Sequence, residues 1–156
     1  MKLKMICFDM DGTIADLYGV QGWHDMLDAK DPTPYIAAKP MWDMTELGKV
    51  LRTLQSEGIE IRVITWLSKR TTPIYDKKVR SAKREWLKTH DFPYDAFHGV
   101  KFGTTKADSV RKYLAKDETA ILIDDNIGVR AGWHLGETIN PQEEDIIAIL
   151  KDLLNR

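Results

Sequence analysis

The stretch MICFDMDGTIADL, residues 5–17, decides how the rest of the chain is read. It opens as an apolar run, which reads as a short buried strand. It then breaks into two carboxylates one residue apart, Asp9 and Asp11, and meets Gly12 at once. Like charges at the tip of a buried strand add nothing to a hydrophobic core. They are therefore expected to serve a site, with Gly12 removing side-chain bulk beside it and letting the chain turn sharply.

Outward from this strand, placed at 3–8, the hydrophobic pattern alternates. Met44, Leu47, Val50, Leu51 and Leu54 recur at helical spacing and predict a helix over 44–57, with Gly58 as its stop. The β-branched run IEIRVIT (59–65) reads as a strand. Pro73 opens a helix reaching about Lys88, AFHGV (96–100) is a short strand, and ADSVRKYLA (107–115) is helical. TAILI (119–123) is the next strand, ETI (137–139) a brief last one, and 142–154 an amphipathic helix. This order predicts an α/β fold, a Rossmann-like doubly wound parallel sheet with helices on both faces, in one domain over 1–156. Residues 17–43 break the alternation. They hold Gly19, Gly22, Pro32, Pro34 and Pro40 with Tyr18, Trp23, Tyr35 and Trp42, and read as a very small cap insertion.

The 156 residues are 43% hydrophobic and 30% charged, with a net charge of −1, as expected of one soluble globular domain. That balance does not point to a nucleic-acid or membrane partner. No run approaches the ~18 consecutive apolar residues of a membrane helix. Charge within the first eleven residues argues against a signal peptide. The single cysteine, Cys7, sits mid-strand as a core residue, and a lone thiol fits a reducing cytoplasm.

In a doubly wound sheet, ligands bind at the carboxyl ends of the strands. Asp9 and Asp11, Thr65, and Asp124 and Asp125 all fall there. Four carboxylates on neighbouring strand tips repel one another unless a cation sits among them, and all-oxygen ligands beside a phosphate suit Mg²⁺. Asp9 could then attack phosphorus, while Asp11 protonates the departing oxygen and later activates water. Thr65 offers a hydroxyl to a phosphoryl oxygen. Lys106, at a predicted helix start, could neutralise the transferring group, and Lys101 competes for that place.

DMDGT (9–13), Thr65 closing VIT, Lys106, and IDD (123–125) resemble, in order, the four motifs of the haloacid dehalogenase superfamily. The resemblance implies a phosphatase of that superfamily, because its dehalogenases lack the second acid. It makes Asp9 the nucleophile and Asp11 the general acid/base, which also lends its backbone carbonyl to Mg²⁺. Thr65 and Lys106 become phosphate ligands, Asp124 a direct metal ligand, and Asp125 a metal ligand directly or through water. A short cap between the first two motifs resembles the deoxyribonucleotidases, although their caps are larger than residues 17–43 could build. The segment NIGVRAGWHLGETINP (126–141) also leaves little room for the usual helix and final strand.

The substrate expected from this reading is a small phosphorylated metabolite, with a nucleotide favoured by the aromatics of the insertion and Trp23 the first candidate for stacking on a base. Two alternatives compete. The segment 69–88 carries eight Lys and Arg residues against Asp76 and Glu85, and could draw a phosphorylated nucleic-acid end. Clustered acids with a Thr and a Lys also occur in receiver-like phosphorylation switches, but a switch needs no general acid such as Asp11. His24, His90, His98 and His134 have no metal-ligand spacing and are assigned no catalytic role.

Overall fold

The strand that carries the acid pair is the middle of the sheet. The computed structural model describes all 156 residues, Met1–Arg156. Strands β1 (Lys2–Phe8), β4 (Glu60–Trp66), β5 (Ala96–Val100), β6 (Glu118–Ile123) and β7 (Thr138–Ile139) form one parallel sheet in the order β5-β4-β1-β6-β7. The chain runs outward from β1 through β4 and β5, then returns to the other side of β1 for β6 and β7. The order therefore reverses between β1 and β6, where ligand crevices form in such sheets. The register sets Phe8 beside both Val63 and Ile123, so the strands carrying the acids and Thr65 end at nearly the same level.

Two-residue alternation gives the sheet two apolar faces. Ile6, Phe8, Ile61, Val63, Ile121 and Ile123 pack with Leu47, Leu51 and Leu54 of α3 (Met44–Ser56) and Ile146 and Leu150 of α7 (Ile146–Leu154). Met5, Cys7, Ile64, Ala120 and Leu122 face the other way, against Ala107 and Val110 of α5 (Lys106–Val110) and Trp133. Cys7 is core, and burial pushes its thiol up to about 12. α3 begins where Asp43 accepts from the Thr45 and Glu46 amides, a cap worth about 1 kcal/mol. It stops before Gly58, whose φ is +89°.

Three elements differ from the sequence reading. The helix expected over 107–115 is α5 alone, followed by a 3₁₀ turn at Arg111–Tyr113. α7 begins at Ile146 rather than 142, because Asp145 caps the Ile147 and Ala148 amides while the preceding residues form a turn. The compressed tail still holds both expected elements, as a five-residue helix α6 (Ile127–Ala131) and the two-residue β7.

The insertion is closed at its neck by a small antiparallel pair, β2 (Ala15–Asp16) with β3 (Lys39–Pro40). Between them lie a 3₁₀ turn (Leu17–Gly19) and two short helices, α1 (Trp23–Asp28) and α2 (Thr33–Ala37). Leu17 and Tyr35 seat the insertion on Leu67 and on Tyr75, Val79 and Ala82 of α4 (Pro73–Thr89). No helix is long and apolar enough to cross a membrane.

Candidate active site

Beyond β1 the Asp9 amide still pairs with the Ile123 carbonyl at 3.0 Å, so the first acid is held by the sheet itself. The chain then folds tightly. The amides of Thr13, Ile14 and Ala15 all donate to the Met10 carbonyl. This turn puts Gly12 at φ +78°, where a Cβ would lie 2.4 Å from Asp125 Oδ2. Gly12→Ala should therefore cost about 1–2 kcal/mol from the left-handed backbone alone and push Asp125 out of place. A thermal melt and a cation-binding titration together check both effects.

Asp9 is gripped from two sides. Lys106 Nζ donates to Asp9 Oδ1 at 2.9 Å and to Asp124 Oδ2 at 2.7 Å, joining the ends of β1 and β6. Thr13 Oγ1 lies 3.0 Å from Asp9 Oδ2 and 3.3 Å from Asp125 Oδ1, and accepts from the Asp125 amide. Carboxylate oxygens of Asp9, Asp124 and Asp125 lie within 4.8 Å of one another. Around Asp124, the Asn126 amide donates to Oδ1 and Arg130 donates to the backbone carbonyl. Lys106 is buried and Lys101 is exposed, so Lys106 is the lysine at these acids.

Charge crowding is visible in the acids' proton affinities. Burial, then the charge of Asp9, raises Asp124 to about 6, against the pull of Lys106. Burial, a hydrogen bond with Asp9, and the charges of Asp9 and Asp124 raise Asp125 to about 7. When ionised, three carboxylates against one ammonium leave two negative charges. The donor set is all oxygen, confined to one spot and short of two positive charges, which fits a hard divalent cation such as Mg²⁺.

Asp11 stands apart from this trio. Its Oδ2 accepts at 2.9 Å from Lys83 Nζ, and the side chain is 18% exposed. Burial raises the Asp11 pKa, and Lys83 opposes that rise. Thr65 is fully buried, does not line the cavity over the acids, and accepts from Lys83 at 2.6 Å. Its strand position explains this, since Thr65 is in step with Ile61 and Val63 and turns to the same face.

A cavity of about 760 Å³ opens over the acids. Asp9, Asp11, Lys106, Asp124 and Asp125 line its floor. The insertion contributes Tyr18, Trp23 and Tyr35 to its wall, with Tyr18 and Trp23 in edge-to-face contact at 5.1 Å. Trp42 does not join them. It ties the neck instead, donating from Nε1 to the Thr13 carbonyl at 2.8 Å. A second aromatic pair, Trp66 and Phe102 at 4.8 Å, also lines the cavity and was not singled out by the sequence. So does His24, exposed at the start of α1. Of the basic segment 69–88, only Lys69 and Arg70 reach the cavity, and Lys77 and Lys78 line a separate groove.

Comparison with known proteins agrees with this architecture at the level of the fold. The sequence matches no protein-family model and no curated protein. Among solved structures it is similar to a D,D-heptose 1,7-bisphosphate phosphatase from Burkholderia thailandensis, with a TM-score of 0.59 and 15% identity over 98% of this chain and 99% of that one. It is also similar to a haloacid dehalogenase-like family hydrolase from Streptococcus pneumoniae, with a TM-score of 0.55 and 16% identity over 94% of this chain and 98% of that one. A chain of the Pnkp1/Rnl/Hen1 complex gives a TM-score of 0.60 at 14% identity. That match covers 89% of this chain, which spans only 45% of the other's length. At these identities the likeness is one of fold, an α/β Rossmann-like architecture shared with these structures.

Proposed function

We propose that the chain is a Mg²⁺-dependent phosphomonoester hydrolase working through an aspartyl-phosphate on Asp9. The observation that carries this is the charge balance at the sheet's switch point. Four acids and two buried lysines meet there, leaving two negative charges for one divalent cation. The fold shared with a sugar bisphosphate phosphatase supports the same reaction class.

Asp9, Asp124 and Asp125 would hold the cation, with the backbone carbonyl of Asp11 as a further ligand. When bound, Mg²⁺ offsets the charge of the carboxylates and of the phosphoryl oxygens. Lys106 holds Asp9 in place and faces the transferring group with positive charge. An Asp9 oxygen attacks phosphorus, the bond to the leaving oxygen breaks, and the Asp11 carboxyl gives that oxygen its proton. Water then attacks the phosphorus of the aspartyl-phosphate, passing a proton back to Asp11 and releasing phosphate and the Asp9 carboxylate. Thr65, expected from the sequence to touch phosphate directly, is assigned to this site through its hydrogen bond to Lys83.

The substrate we favour is a nucleotide, because Trp23 and Tyr18 offer a ring surface above a floor that supplies only charge. Stacking on a base is worth roughly 1–3 kcal/mol, or about one to two orders of magnitude in affinity. Trp23→Ala should lower kcat/KM on nucleoside monophosphates by about that factor and leave sugar phosphates unaffected. Equal rates of phosphate release from both substrate classes would reduce the rings to local core. A phosphorylated nucleic-acid end is the second reading, favoured by Lys69 and Arg70 at the cavity and by the likeness to a chain of an RNA repair complex. Higher kcat/KM on a phosphorylated oligonucleotide than on the matching mononucleotide would select it. A receiver-like switch would instead show a lasting phosphoenzyme with little phosphate release.

A further inference from the structure

Lys83 is completely buried, although it sits in the most basic helix of the chain. It occupies the inward stripe of α4 with Tyr75, Val79, Ala82 and Trp86. An ammonium has three N–H donors, and each has a partner here. Asp11 Oδ2 accepts at 2.9 Å, Thr65 Oγ1 at 2.6 Å and the Trp66 carbonyl at 2.9 Å. The ring of Tyr35, from the insertion, lies 4.8 Å from Nζ, and its hydroxyl is 3.0 Å from Ser68 Oγ. The ammonium thus has no donor left for a phosphate.

We propose that Lys83 is the positioning residue for Asp11, and that Tyr35 completes its seat. The inference rests on the phosphatase reading above and adds the group that aims the general acid. Lys83 is the hydrogen-bond partner of Asp11 Oδ2, which fixes the carboxyl and leaves Oδ1 as the oxygen without a protein partner. Asp11 lines the cavity, so the free oxygen is available to a leaving group while the clamped one is not. Asp9 is served by a different lysine, Lys106. The two acids are therefore held independently, one for attack and one for proton transfer. The same ammonium is held in place by the end of β4 and by the ring of Tyr35 from the insertion, so the aim of Asp11 depends on one buried, fully partnered charge.

The test compares two phosphomonoesters, p-nitrophenyl phosphate and an alkyl phosphate. The alkoxide needs a proton to leave and the nitrophenolate does not. kcat/KM reports transfer to Asp9, before the water step. Lys83→Met, close to lysine in length and uncharged, should lose at least tenfold more kcat/KM on the alkyl ester than on the aryl ester, as should Asp11→Asn. In the Lys83→Met/Asp11→Asn protein both charges are gone, and its rates on both esters should equal those of Asp11→Asn alone, since Lys83 acts only through Asp11. This double variant also keeps the test decisive should Lys83→Met alone fail to fold with Asp11 unpaired. An equal loss on both esters, or a double variant clearly slower than Asp11→Asn, would overturn the proposal. Failure of the phosphatase reading looks different, because the unaltered protein would then release phosphate from neither ester.

Discussion

Asp9→Asn is expected to leave a folded protein with no measurable turnover. The amide has nearly the size of the carboxyl, its oxygen can still accept from Lys106, and its NH2 can donate to the Thr13 hydroxyl, which keeps Asp125 as an acceptor, so the strand end and its turn have no reason to rearrange. It cannot serve as the nucleophile, however, and no second carboxylate is placed to replace it. Asp11 is clamped to Lys83, and Asp124 shares Lys106 from the neighbouring strand. Removing the nucleophile of a covalent mechanism typically costs on the order of 10⁴-fold or more. Circular dichroism and a thermal melt should match the parent protein. Substantial phosphate release by Asp9→Asn at saturating Mg²⁺ would contradict the assignment.

Removal of the cation is expected to have the next largest effect. EDTA should abolish phosphate release and Mg²⁺ should restore it. Asp124→Ala should raise the Mg²⁺ concentration required, because it deletes a buried carboxylate from the cluster and leaves Lys106 with one partner fewer. The effect on stability should depend on pH in a defined direction. Asp124 and Asp125 have folded-state pKa values raised to about 6 and about 7. Their protons stabilise the metal-free fold at low pH, and that contribution is lost as pH rises through those values. Mg²⁺ should therefore raise Tm more at pH 8 than at pH 5.5, where protons already occupy the cluster. A Tm shift that is the same at both pH values would place the cation elsewhere.

Much of this arrangement is legible in the sequence, for identifiable reasons. Buried parallel strands are written as short apolar runs, so the ends of β1, β4 and β6 can be found within a residue or two, and the acids just beyond two of them stand out. The Asp9–Asp124–Asp125 cluster follows from that rule, whereas Lys106, at a helix start, competes with Lys101 in the sequence. Lys83 does not, because a cation in a basic segment reads as solvent-facing and its partners Asp11 and Thr65 are 72 and 18 residues away. The signal was its place on the stripe of Tyr75, Val79 and Trp86. Thr13 was overlooked for a related reason, since its hydroxyl links Asp9 to Asp125 only once β1 and β6 are adjacent. Trp42 shows the limit of composition, as it shares the insertion with Trp23 and Tyr35 yet is spent on the neck. The early stop of α5 and the late start of α7 come from a 3₁₀ turn and an Asp145 cap that periodicity alone does not register.

The proposed reaction is a double displacement at phosphorus through Asp9. Its most direct test is the stereochemical course of hydrolysis of an aryl phosphorothioate made chiral at phosphorus with oxygen isotopes. Two successive in-line displacements, first by Asp9 and then by water, each invert phosphorus, so net retention is the expected result. Net inversion would mean that water attacks the substrate directly, and would contradict the account.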